Sequence, residues 1–90
     1  MQVAHVIISG TVQGVGFRQF IKHFADRLRI RGWVRNTREG TVEAAFSGEK
    51  EQIEKLIEIC KKGPMLSRVE NIAVDWKETT ENFSNFEITY

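Results

Sequence analysis

The spacing of apolar residues changes repeatedly along the chain, and each change marks an element. Residues 3–9 (VAHVIIS) are β-branched and apolar, and predict a central strand with both faces buried. Between Gly10 and Gly16 the pattern breaks. From there the apolar residues fall at Phe17, Phe20, Ile21, Phe24, Ala25 and Leu28, the spacing of one helical face. Gly32 punctuates the chain. Residues 33–36 read as a strand, residues 37–40 as a tight turn, and residues 41–46 as the returning strand. Ser47 and Gly48 predict a helix start, with Glu49 and Glu51 in the first turn. Ile53, Leu56, Ile57 and Cys60 form that helix's apolar face. Lys61 and Lys62 suit its C-terminal end, Gly63 a left-handed cap and Pro64 its stop. Residues 69–76 alternate as a half-exposed strand does, and a polar stretch leads to a short last strand near residues 86–90. The order is βαββαβ plus a terminal strand. Right-handed crossovers put both helices on one face of an antiparallel sheet. The expected fold is therefore α+β, a ferredoxin-like βαββαβ sandwich with a short C-terminal strand.

Composition narrows the class. Ninety residues make one domain, residues 1–90, and 41% apolar content excludes a disordered chain. No apolar run is long enough to cross a bilayer, and no N-terminal stretch has the build of a signal peptide. A single cysteine excludes an internal disulfide framework and a multi-cysteine zinc site. A cytoplasmic protein is the expectation. The net charge of +1 hides an asymmetry: residues 1–38 carry seven Lys/Arg against Asp26 alone, while residues 39–90 carry six against eleven Asp/Glu. That basic half points either to an anionic partner, nucleic acid or a small phosphate compound, or to solvated arginine faces.

Two segments carry candidate chemistry. The first, residues 10–18 (GTVQGVGFR), joins the first strand to the first helix. Gly14 and Gly16 allow a tight curl with consecutive N–H groups turned inward. The helix N-terminus adds unpaired N–H groups and the positive end of its dipole. Arg18 falls in that first turn, where a cation is unfavourable unless an anion meets it, and its fork suits two phosphate oxygens. Gln13, Gly14, Val15, Gly16, Phe17 and Arg18 thus form a candidate phosphate cradle; the plain alternative is a glycine-shaped turn that only reverses the chain. Neither the GxGxxG nor the Walker pattern is met. The second segment, residues 32–36 (GWVRN), ends a strand at Asn36. That residue is either a turn initiator or a site residue facing Arg18, a geometry the topology permits.

Both segments resemble one family. Gly10, Val12, Gln13, Gly14, Val15, Phe17 and Arg18 are similar to one acylphosphatase signature, and Gly32, Trp33, Val34, Asn36, Gly40, Val42 and Gly48 to the other. Length and element order agree over essentially the whole chain. The resemblance implies hydrolysis of acyl phosphates to carboxylate and inorganic phosphate. It implies Arg18 and nearby backbone N–H groups as phosphate binders, Asn36 as the residue that positions water, and no metal or cofactor. The expected partners are a small acyl phosphate and the product phosphate, with no nucleic acid, no membrane and a monomeric state.

Other candidates read as structural. Cys60 and the Phe17/Phe20/Phe24 stripe belong to the core, His23 to the surface, and His5 has no evident partner; Tyr90 offers a carboxylate to a salt bridge. Three classes compete: the enzyme, a non-catalytic phosphate- or RNA-binding module of the same topology, and a regulatory domain that keeps the fold without turnover. Residues 31–36 (RGWVRN) begin like the aromatic RNA-recognition motif but fail at its fourth and fifth positions. Related domains fused within large carbamoyl-transfer proteins need far more chain than this.

Overall fold

The computed structural model describes residues 2–90. Their order is β1 (Gln2–Thr11), α1 (Phe17–Arg27), β2 (Arg31–Asn36), β3 (Val42–Ser47), α2 (Lys50–Lys62), β4 (Arg68–Glu78) and β5 (Phe86–Ile88). The strands form one sheet in the order β4-β1-β3-β2-β5. The first four are antiparallel, the ferredoxin-like arrangement expected; β5 is added at the β2 edge and runs parallel to it.

β1 is central, as its composition predicts, but only one of its faces is sealed. Ala4, Val6 and Ile8 are fully buried, whereas His5, Ile7 and Ser9 on the other side are half-buried. The cause is the topology: two right-handed crossovers place both helices on the same face and leave the other to solvent. Phe17, Ile21 and Ala25 of α1, and Ile53, Leu56, Ile57 and Cys60 of α2, complete one core with Val34, Val42, Ala44, Phe46 and Phe86. Each large side chain so buried contributes about 1.5–3 kcal/mol.

Boundaries shift for local reasons. Ser47 belongs to β3, and α2 starts at Lys50 with Glu49 as an N-cap that makes no side-chain cap bond. β2 begins at Arg31 because pairing with β3 continues through Gly32 and Arg31. α1 closes with Ile30 N–H donating to Ala25 O (2.8 Å) and Arg29 N–H to Asp26 O (3.3 Å), a Schellman cap that places Arg29, not a glycine, at positive φ. At the exit of β1 the register with β4 shifts between Ser9 and Gly10. A Cβ on Gly10 would lie 2.1 Å from the Arg68 carbonyl oxygen, so only glycine lets the strands stay this close where the chain leaves the sheet.

Candidate active site

β1, β2 and β5 all point the same way, because β3 lies antiparallel between β1 and β2, and β5 runs parallel to β2. Their C-terminal ends therefore meet at one end of the sheet. The N-terminus of α1 lies at that end too, since α1 begins where β1 stops. A cleft of about 90 Å³ opens there, lined by Gly14, Gly16, Phe17, Arg18 and Gln19 from the first loop and helix, Asn36 from β2, and Ile88 and Tyr90 from the C-terminal segment. Pockets for drug-sized ligands run roughly 300–1,000 Å³. This one is scaled to a single small group.

The loop is built by two glycines. Gly14 (φ 74°) and Gly16 (φ 78°) are both left-handed, and a Cβ on either would meet nothing within 4 Å. Backbone conformation, not crowding, demands glycine at both. Gly16 caps α1 without a side-chain bond, and the first turn holds no acid. The first intrahelical bond is Phe20 N–H to Gly16 O, at 3.0 Å. The N–H groups of Phe17, Arg18 and Gln19 thus have no acceptor within the helix, the arrangement that favours an anion.

Arg18 and Asn36 line the same cleft, as the topology permits. No carboxylate among the described residues pairs with Arg18; its guanidinium lies 4.9 Å from the Tyr90 ring centre. Tyr90 meets it through the ring rather than through a carboxylate. Cleft members the sequence reading did not place in the site are Val12, Gln19, Ile88 and Tyr90. The last two arrive through the parallel pairing of β5, for which the short last strand carries no signal.

Two cradle residues act differently from the rest. The Gln13 amide Nε2 donates to Thr37 O (2.8 Å) and Thr41 O (2.9 Å), in the turn between β2 and β3. Val15 packs its side chain against the core. Neither residue lines the cleft.

Elsewhere the basic residues are differently employed. On the open sheet face Arg35 pairs with Glu43 through Nη2 (2.6 Å) and Nε (2.8 Å), and His5 Nε2 donates to the other Glu43 oxygen (2.6 Å). Partial burial alone raises the Glu43 carboxyl, but hydrogen bonds from Arg35 and then His5 outweigh it and hold the group below its usual value. His5 thus has a partner that 38 residues of separation conceal. Lys22 bonds Asp26 (3.2 Å) and the Phe86 carbonyl (2.8 Å). A larger recess of about 330 Å³ lies at the opposite end of the sheet, with Arg29, Arg31 and Glu49 among its lining. Among the described strand residues of the open face, Trp33 and His5 carry the only aromatic rings, and Arg35 lies over Trp33, 5.8 Å from the ring centre. That is a poor platform for stacking bases. Among the described residues no three His, Cys, Asp or Glu are grouped to hold a metal, and no helix is long and apolar enough to cross a membrane.

The acylphosphatase family model matches residues 4–88. The chain belongs to the acylphosphatase family. It is 45% identical to an acylphosphatase of Pelotomaculum thermopropionicum, across 97% of this chain and 95% of that one. A crystal structure of acylphosphatase from Bacillus subtilis superposes with a TM-score of 0.97 at 36% identity and full coverage of both chains. A full-length HypF, in a phosphate- and nucleotide-bound form, contains the same fold at TM-score 0.84 and 33% identity; 99% of this chain corresponds to only 12% of that one. As an acylphosphatase the chain hydrolyses acyl phosphates to a carboxylate and inorganic phosphate.

Proposed function

We propose that Arg18 and the backbone N–H groups of residues 15–18 hold the phosphoryl group of the acyl phosphate, while Asn36 orients the attacking water. The observation that carries this reading is an arginine without a counter-charge, at an uncapped helix N-terminus, sharing a 90 Å³ cleft with Asn36. A cleft of this size grips one phosphoryl group and leaves the acyl part outside.

The chemistry asks little else of the protein. Water oxygen bonds to phosphorus as the bond from phosphorus to the acyl oxygen breaks, and the electron pair leaves with the carboxylate. The conjugate acid of that leaving group has a pKa of about 4, so it departs unprotonated and needs no general acid. Phosphoryl transfer through a loose transition state is catalysed mainly by positioning and charge stabilisation. Arg18 and the loop amides supply the charge, and Asn36 the orientation. Among the described residues no carboxylate side chain and no imidazole lines the cleft. The water's proton therefore passes to a phosphoryl oxygen of the substrate. No step calls for a metal, a cofactor or a covalent intermediate. All these groups come from one chain, and we infer a single-domain, monomeric, cytoplasmic enzyme acting on a small substrate without nucleic acid.

The test is hydrolysis of benzoyl phosphate with chelator present, for the wild type and Arg18→Ala. Turnover that survives chelation and is lost in the variant is expected. Equal turnover by a folded Arg18→Ala protein would overturn the assignment.

A further inference from the structure

Arg18 and Asn36 stand on separate elements, α1 and β2. A water aimed by one and a phosphoryl group held by the other react only if the two elements are kept in register. We propose that Gln13 is the positioning residue that does this: its side-chain amide locks the phosphate loop to the turn that follows Asn36. The proposal rests on the reading of Arg18 and Asn36 given above.

Both donors of the Gln13 side chain are used, each on a defined acceptor. A primary amide has two N–H donors, and Nε2 directs them at Thr37 O (2.8 Å) and Thr41 O (2.9 Å). With both used, this nitrogen has none left for a phosphoryl oxygen. Its acceptors are the two residues that frame the turn. Thr37 follows Asn36 directly, and Thr41 precedes Val42, which pairs with Asn36 in the sheet. The turn is closed independently by Thr37 N–H to Thr41 O (3.0 Å) and by the hydrogen bond between the two threonine hydroxyls (2.7 Å). Gln13 therefore grips a stiff object. On its other side the next residue is Gly14, the first left-handed residue of the loop. The clamp is thus one residue from the loop's curl and one residue from Asn36.

The residue type follows from the same geometry. Two carbonyl oxygens at one place need two donors from one side chain, uncharged because the site is partly buried. Glutamate has the same shape but opposes both carbonyls with an acceptor. Asparagine is one methylene short. Cutting the clamp removes no phosphate contact. It frees the turn to move relative to the loop, and a misplacement of about 1 Å in a reacting group costs on the order of 10²-fold in rate.

The experiment compares wild type, Gln13→Glu and Gln13→Ala with benzoyl phosphate as substrate and inorganic phosphate as competitive inhibitor. Expected is a fall in kcat of roughly 10- to 10²-fold with the phosphate inhibition constant unchanged. In an Asn36→Ala background the same substitutions should cost nothing further, because the water is no longer aimed. Weakened phosphate inhibition would make Gln13 a direct ligand instead, and a kcat loss that persists in full without Asn36 would make it merely structural; either overturns the proposal. A measurement on the wild type needs no variant to fold. On titration with inorganic phosphate, the Gln13 side-chain amide signals in an NMR spectrum should stay in place while the backbone amides of residues 15–18 move. Comparable movement of both would also overturn it. Absence of wild-type turnover would count against the reading of Arg18 and Asn36, whereas these signals report on the clamp alone.

Discussion

Arg18 and Arg35 both come from the basic half of the sequence, and the fold treats them oppositely. Arg35, on the open sheet face, is satisfied by the protein: Glu43 accepts two of its bonds and His5 completes the group. Arg18, at the end of the sheet, is given a ring to lie against but no carboxylate. A guanidinium already paired has little attraction left for an anion from solution, whereas one beside unpaired helix N–H groups keeps all of it. The difference teaches that basic composition does not locate an anion site. On the reading proposed here, what locates it is the charge the structure declines to neutralise.

The largest effect should come from breaking the unpaired side. Arg18→Lys keeps the charge and loses the fork, and kcat/KM should fall on the order of 10²–10³-fold in a benzoyl phosphate assay. A variant within about threefold of wild type would mean that a point charge suffices. Next, Asn36→Ala should lower kcat by about 10- to 10²-fold while leaving phosphate inhibition intact, if its proposed role is to orient water and not to hold phosphate. Steady-state kinetics with phosphate as inhibitor separates the two constants.

Breaking the paired side should leave activity alone. Glu43→Gln is expected to keep kcat/KM within about twofold of wild type and to lower stability by about 1 kcal/mol, the scale of a partly exposed charged cluster. Its pH dependence has a definite sign. The folded protein holds the Glu43 carboxyl below its usual value, so the stabilisation is present above the ordinary glutamate range and is lost as the pH falls through the lowered value. Urea midpoints for wild type and Glu43→Gln should therefore differ at neutral pH and converge as the pH falls through that lowered value. A constant gap would show that the carboxylate is not the source. The smallest effect concerns Cys60. Burial in the core pushes its thiol up to about 12, so thiol reagents should fail to label the native protein and should label it once unfolded.

Much of this molecule was legible before its structure. The helices were visible because three-and-four spacing survives in the sequence whatever the helix packs against, and Phe17, Ile21 and Ala25 do form the buried stripe of α1. The curl of the loop before α1 was legible because left-handed backbone at Gly14 and Gly16 leaves a residue-type signature. The hidden features all depend on distant segments. Gln13 reads as one more member of the phosphate cradle until the Thr37–Thr41 turn is placed against its amide. His5 has no partner until β3 brings Glu43 alongside β1. The single buried face of β1 follows from where the helices lie, which its own run of β-branched residues does not encode. The parallel course of β5, and with it Ile88 and Tyr90 in the cleft, rests on three pairing residues whose sequence is indifferent to direction.

The place of β5 has a mechanical corollary. β4 and β5 occupy opposite edges of the sheet, so residues 79–85 must travel its full width. Four strand spacings of about 4.8 Å come to roughly 19 Å. The eight Cα steps from Glu78 to Phe86 reach at most about 26–29 Å. The crossing is a strap with little slack. Removing two residues from it shortens the reach to roughly 20–22 Å, barely the distance to be covered. Such a deletion lies at the end of the molecule furthest from the cleft, yet it would draw β5 back and take the wall formed by Ile88 and Tyr90 with it. The length of an unremarkable polar segment, independent of its chemistry, is thus part of what shapes the end of the sheet that holds the cleft.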